Sequence, residues 1–181
     1  MAEKLQTPNN NPKRPRRPPE IPTASVKLDE REKALQSLLP QVLVDFEFET
    51  VLAVDEVIIS IKPQDLPAIC KVVKDDDDLN LGYLRCISVV DYIEYLEAVY
   101  HLFSLKKRHK LVIKVQLPTE SPHLPSVVSI WRGADWFERE GHDLFGVVFD
   151  GHPNLVPLVL YEGFNGNPGL KSFPFHDYKE W

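Results

Sequence analysis

The chain has 181 residues, 43% of them hydrophobic and 27% charged, and a net charge of −6. This size and a mean hydropathy of −0.24 exclude collagen-like, low-complexity and wholly disordered chains, and no apolar run approaches the roughly 18 residues that a membrane-spanning helix needs. Residues 1–20 carry Lys4, Lys13, Arg14, Arg16 and Arg17 against Glu3 and Glu20, so the body that follows is acidic, which argues against nucleic acid as the main partner.

Six of the sixteen prolines fall within residues 1–22, beside Asn9, Asn10 and Asn11. Such a stretch buries too little apolar surface to offset its ordering entropy, so residues 1–27 are expected to form a disordered Pro/Arg-rich arm. Pro18-Pro19-Glu20-Ile21-Pro22 follows the basic residues where a secretory signal would place an apolar core. Cys70 and Cys86 form no CxxC pair and read as buried free thiols of a reducing compartment.

Asp29 to Leu39 predicts a helix, with Leu28, Leu35, Leu38 and Leu39 near one face and Pro40 as its stop. Residues 51–61 predict a half-buried strand that puts Val51, Ala53, Val57, Ile59 and Ile61 on one side. Pro63 to Val73 reads as a short helix. The run Asp75-Asp76-Asp77-Asp78 after it lacks the alternating ligands, glycine and distal glutamate of a calcium loop and is expected to be solvated. Segments 81–90, 93–104 and 110–117 suggest an antiparallel meander. In the last of them Leu111, Ile113, Val115 and Leu117 face one way, Lys110, Lys114 and Gln116 the other.

Pro118, Pro122 and Pro125 then break the sheet, residues 124–131 suit a short helix, and Asp135 opens a longer one in which Asp135 and Glu138 resemble a capping box. The class is α+β: a single domain over residues 28–146 with a mostly antiparallel sheet and helices. Residues 147–181, rich in Gly and Pro, are expected to run as an extended segment that lies on a partner.

The densest polar constellation is Glu138-Arg139-Glu140-Gly141-His142-Asp143. At i,i+4 spacing Glu138 lies over His142 and Arg139 over Asp143. The cluster admits three readings: a charge network pinning the helix to its surroundings, acid–base chemistry between carboxylate and imidazole, or a metal site that adds His152 or His123. Gly163, Gly166 and Gly169 match neither nucleotide-binding glycine pattern, and no nucleophile elbow is present. The residues by themselves name no catalytic centre.

The string WFEREGHDLFGVVFDGHP at residues 136–153 closely resembles the signature of the 30 kDa subunit of respiratory complex I. Glu138, Arg139, Glu140, Asp143, Leu144, Phe145, Gly146, Phe149, Gly151, His152 and Pro153 fill its pattern. Tyr100 to Leu105, the lysine-flanked strand and Pro122 to Trp131 extend the resemblance over roughly residues 30–175. It departs from the family at Val156-Pro157, where the family carries two arginines, and around Leu170, where only the outer frame of the family's pattern and Lys171 are kept.

The resemblance implies a non-catalytic structural subunit of the hydrophilic arm of a proton-pumping NADH:quinone oxidoreductase. By the same resemblance it would be peripheral at the cytoplasmic side of the cell membrane and dock on the large quinone-site subunit and other arm subunits, with the signature residues and Lys171 at the interface. NADH, FMN, iron-sulfur clusters and quinone would belong to partner subunits, with no cofactor in this chain. Two other readings are the equivalent arm subunit of a membrane-bound energy-converting hydrogenase, and a free-standing soluble enzyme using the Glu138/His142 cluster.

Overall fold

The computed structural model describes residues 29–53 and 56–174. The expected arm, residues 1–27, and residues 175–181 lie outside them. The elements are helix α1 (Glu30–Val42), strands β1 (Phe48–Ala53) and β2 (Glu56–Ile61), and α2 (Leu66–Asp75), entered through a 3-10 turn at Pro63–Asp65. Strands β3 (Tyr83–Asp91), β4 (Tyr95–Phe103), β5 (Lys110–Pro118) and β6 (His123–Pro125) follow, then α3 (Ala134–Phe145) and β7 (Val148–Asp150). No helix among the described residues is long and apolar enough to cross a membrane.

One five-stranded sheet runs in the order β1-β2-β5-β4-β3, and β6 pairs with β7 in a separate two-stranded sheet. The meander of β3, β4 and β5 is antiparallel as expected, whereas β2 pairs with β5 in parallel. The fold is therefore α+β with a mostly antiparallel sheet. Its core face stacks Val57, Ile59, Leu111, Ile113, Val115, Tyr100, Ala98 and Ile87 against Leu35 and Leu39 of α1 and Leu66, Ile69, Cys70 and Val73 of α2. On the opposite face Lys114 reaches Glu97 at 2.7 Å over the buried Val99 and Val112, so the wet side predicted for β5 is only partly wet.

Three sequence expectations are corrected. The α1 helix starts as read, with Asp29 Oδ1 accepting the Glu30 N–H, but it passes through Pro40 to Val42. Proline in the last turn removes only the donor to the Gln36 carbonyl, and its ring lies exposed, so the helix ends just beyond it. Residues 51–61 are a hairpin, not one strand: Ala53 opposes Glu56 and Val51 opposes Ile58. Val51 and Ala53 therefore share a face with Ile58 and Glu56, opposite Val57, Ile59 and Ile61, so the five do not lie on one side. Residues 124–131 are not a helix, because the backbone of His123, Leu124 and Pro125 is taken by β7 and a single tight turn follows, with the Trp131 N–H on the Val127 carbonyl.

Helix α3 packs on β3 through Gly141, where a Cβ would lie 3.1 Å from Val89 Cγ2 and 3.4 Å from the Phe149 ring. Gly141→Val should therefore overpack this seam and cost about 1–3 kcal/mol. Urea unfolding of the full chain should show a lower midpoint with an unchanged slope; an unchanged midpoint would contradict close packing there.

Candidate functional site

Beyond Asp150 the described chain has no helix or strand, so its backbone polar groups need partners from elsewhere. Helix α3 supplies them. Asp135, Arg139 and Asp143 recur at i,i+4,i+8 and so share one face. Asp135 Oδ1 lies 3.2 Å from Nε2 of His152, whose side chain is fully enclosed and whose Nδ1 accepts the Asn154 N–H. Asp135 Oδ1 and His152 Nε2, both buried, are close but do not meet hydrogen-bond geometry. Arg139 donates from Nε to the Val156 carbonyl (3.0 Å) and from a terminal nitrogen to the Pro157 carbonyl (3.1 Å), and stacks 5.7 Å over Trp136. Asp143 Oδ2 accepts three consecutive N–H groups, those of Leu158, Val159 and Leu160, at 3.1, 2.8 and 2.7 Å. The segment thus runs alongside α3 in the helix's own direction.

At the helix end the donors and acceptors are exchanged. Gly146 terminates α3 in the left-handed region (φ 76°) and returns its N–H to the His142 carbonyl. The Asp143 and Leu144 carbonyls, unpaired within the helix, receive the Asn167 amide (3.1 Å) and the Gly169 N–H (2.8 Å). A Cβ on Gly169 would stand 2.8 Å from both the Leu144 carbonyl and the Phe145 ring, so only glycine permits this approach. Asp91 at the end of β3 completes the closure: Oδ2 accepts the Lys171 N–H at 2.7 Å, Oδ1 the Ile93 N–H at 2.6 Å, and the Lys171 ammonium sits 5.8 Å from the Tyr92 ring.

Glu138 points the other way. Its fully buried carboxylate accepts the Ser126 hydroxyl (2.6 Å) and the Val127 N–H (2.7 Å) and has no cation beside it. Burial pushes its pKa up, and nearby Asp135 adds to this; the two hydrogen bonds oppose it, and the result is about 7. For Asp143, burial raises the pKa, but the three backbone N–H groups and nearby His142 outweigh it and leave the carboxyl below its ordinary value.

Several expectations therefore change. The capping box is not made: α3 is entered at Gly133 without a side-chain cap, and Asp135 and Glu138 serve His152 and the 126–127 turn. The i,i+4 pairs are not made either; His142 Nδ1 lies 2.9 Å from the Val147 carbonyl and Arg139 serves the segment. Glu140 is exposed, and Glu138, His142 and Asp143 are each committed to different backbone groups, so the enzyme-like cluster does not converge on one point. Among the described residues no group of three or more His, Cys, Asp or Glu is placed to hold a metal ion. His123 pairs with Asp150 instead.

Of the other signature residues, Phe149 is core, Leu144 and Phe145 are half-buried under Gly169, Gly151 takes φ 82°, and Pro153 is exposed. Sequence reasoning missed Asp91, Ser126 and Asn167. The available signals were an acid closing an apolar strand and an amide ahead of Pro168-Gly169. The hydrogen bonds turn the segment's backbone inward, and among its side chains Tyr161 is 72% exposed and Val159 56%, with Trp136 of α3 at 62%.

Residues 59–179 match the family model described as Respiratory-chain NADH dehydrogenase, 30 Kd subunit. An NADH-quinone oxidoreductase subunit of Rhizobium meliloti (strain 1021) is 39% identical over 124 residues, which are 67% of this chain and 68% of that protein. An NADH-quinone oxidoreductase subunit of Salinispora arenicola (strain CNS-205) is 35% identical over 150 residues, 81% of this chain but 61% of the relative's length. Among solved structures, a trypsin-resistant fragment (1–134) of Nqo5 superposes with a TM-score of 0.55 at 26% identity, covering 67% of this chain and 98% of the fragment.

Two titrations follow from this geometry. A carboxyl whose folded pKa is raised contributes most below its unfolded value, so the stability of the full chain should fall as pH rises from about 4.5 to about 7, by up to about 3 kcal/mol. Glu138→Gln should flatten that interval in urea titrations; a wild-type slope in the variant would contradict the assignment. Asp143→Asn weakens charge-assisted bonds worth about 1.5–3 kcal/mol and should remove amide-exchange protection at Leu158, Val159 and Leu160 while protection in β4 and β5 stays unchanged. Because the Asp143 pKa is lowered, the wild-type chain should lose the same protection only as pH falls below the ordinary carboxyl range.

Proposed function

The chain belongs to the family Respiratory-chain NADH dehydrogenase, 30 Kd subunit, and from that membership we propose that it is a non-catalytic structural subunit of the hydrophilic arm of an NADH:quinone oxidoreductase. In this reading it docks on the large quinone-site subunit, and NADH, FMN, iron-sulfur clusters and quinone are held by partner subunits. It sits peripherally at the cytoplasmic side of the cell membrane through those partners.

The observation that carries the reading is the outward row of Trp136, Val156, Val159 and Tyr161, on α3 and on a segment that α3 holds by the Val156 and Pro157 carbonyls and the Leu158, Val159 and Leu160 N–H groups. Apolar side chains on a backbone already held in place add roughly 25 cal/mol per Å² when covered, without first ordering the chain that bears them. The residues Asp135, Arg139 and Asp143 then act on the partner indirectly, by presenting that row. Val156 and Pro157, which stand where the resemblance has arginines, accept Arg139 through their carbonyls and leave their side chains to the surface.

A tagged full-length chain recovered from native membranes should bring down the large quinone-site subunit with NADH-oxidising subunits. Trp136→Ser combined with Tyr161→Ser should lower that recovery at least about tenfold with little change in thermal midpoint, since both side chains are exposed in the free chain. Undiminished recovery would overturn the docking surface. Co-isolation with a hydrogenase large subunit would instead assign the chain to an energy-converting hydrogenase.

A further inference from the structure

We infer that the tip of the β4–β5 hairpin, residues 105–110, docks an acidic polypeptide segment of another protein that also receives the side chain of Leu105. The inference is independent of the proposed place in a respiratory complex. Between Ala98 and Thr119 the chain has five cations, Lys106, Lys107, Arg108, Lys110 and Lys114, and no acid, although its net charge is −6. Lys114 is paired with Glu97 and Lys107 with Asp78 at 3.2 Å. Among the described residues Lys106, Arg108 and Lys110 have no ion pair, and Leu105 is 69% exposed beside them.

The tip is built rigidly. Ser104 accepts the Lys107 N–H on its hydroxyl (3.0 Å) and the Arg108 N–H on its carbonyl (2.8 Å), and gives its own N–H to the His109 carbonyl (3.1 Å). The buried His109 ring fixes the tip to the next loop, with Nε2 2.7 Å from the Leu79 carbonyl. Arg108 is held at φ 64°, the left-handed position that closes the hairpin loop while its N–H reaches the Ser104 carbonyl, so its place at the tip is fixed by the turn. Unpaired cations and an exposed leucine on a fixed turn are the parts of a docking point for an anionic ligand with an apolar element.

The neighbouring charges select the class of ligand. Asp78 sits against Lys107, and Asp75 and Asp77 beside it are exposed. A broad anionic surface, such as a lipid bilayer or a duplex, would meet these carboxylates together with the cations and be repelled. A single acidic segment is narrow enough to follow Lys106 and Arg108 and avoid the aspartates.

Full-length chain carrying the photo-crosslinker p-benzoylphenylalanine in place of Leu105, expressed in its native cells and irradiated, tests this. The expected adduct is a peptide with Asp or Glu clustered around the crosslinked position, its yield reduced at least about tenfold by Lys106→Glu with Arg108→Glu. A lipid or nucleotide adduct, a peptide without acidic residues, no adduct, or a yield untouched by charge reversal would overturn the inference. Should the reversed variant melt early, Lys106→Gln with Arg108→Gln carries the same test and should give a reduced yield.

Discussion

The arrangement of residues 147–174 depends on one carboxylate that serves three peptide groups in succession. Backbone without a ladder must have its N–H groups satisfied, and a lone segment in water has them satisfied by solvent. Asp143 replaces that solvent at Leu158, Val159 and Leu160 with a fixed negative charge at hydrogen-bonding distance. The same residue's carbonyl, left open because α3 ends at Gly146, takes the Asn167 amide. Side chain and main chain of one position therefore hold the segment at two separate places, and His152, Arg139 and Asp91 extend the same logic to either side.

Helix α3 consequently has two polar roles on two faces. Toward the solvent side, charges meet backbone dipoles of the segment. Toward the sheet, Glu138 meets the 126–127 turn in the core, and burial without a counter-ion holds its proton more tightly than that of Asp143. The contrast arises first from burial, which is deeper at Glu138, and then from the donors, three N–H groups at Asp143 against one N–H and one hydroxyl at Glu138.

How far the sequence discloses this follows from what periodicity encodes. Strands with one buried face announce themselves, as Leu111, Ile113, Val115 and Leu117 do; a hairpin whose arms are both apolar at odd positions, as at Val51 and Ile59, conceals its turn although the pairing puts those two on opposite faces. The signature on α3 stands out, but helical spacing alone suggests that its charges pair with one another. Apart from the His152 ring and the Ser126 hydroxyl, their partners are main-chain groups of Val127, Val147 and residues 156–160, whose identity is independent of side chain and therefore absent from any residue pattern. Gly169 is the exception: a contact too close for a Cβ leaves a mark in sequence, although the mark does not say what lies opposite.

The parallel pairing of β2 with β5 has a consequence for synthesis. Ile61 of β2 waits for Val115, so while β3 and β4 emerge β2 has only β1 of its two neighbours. Contacts of such sequence separation close slowly, because the intervening loop entropy is lost before they form. On the ribosome the edge of β2 that β5 covers stays without its ladder until β5 emerges, and α3 can be dressed by its segment only after the last of the sheet has left the exit tunnel.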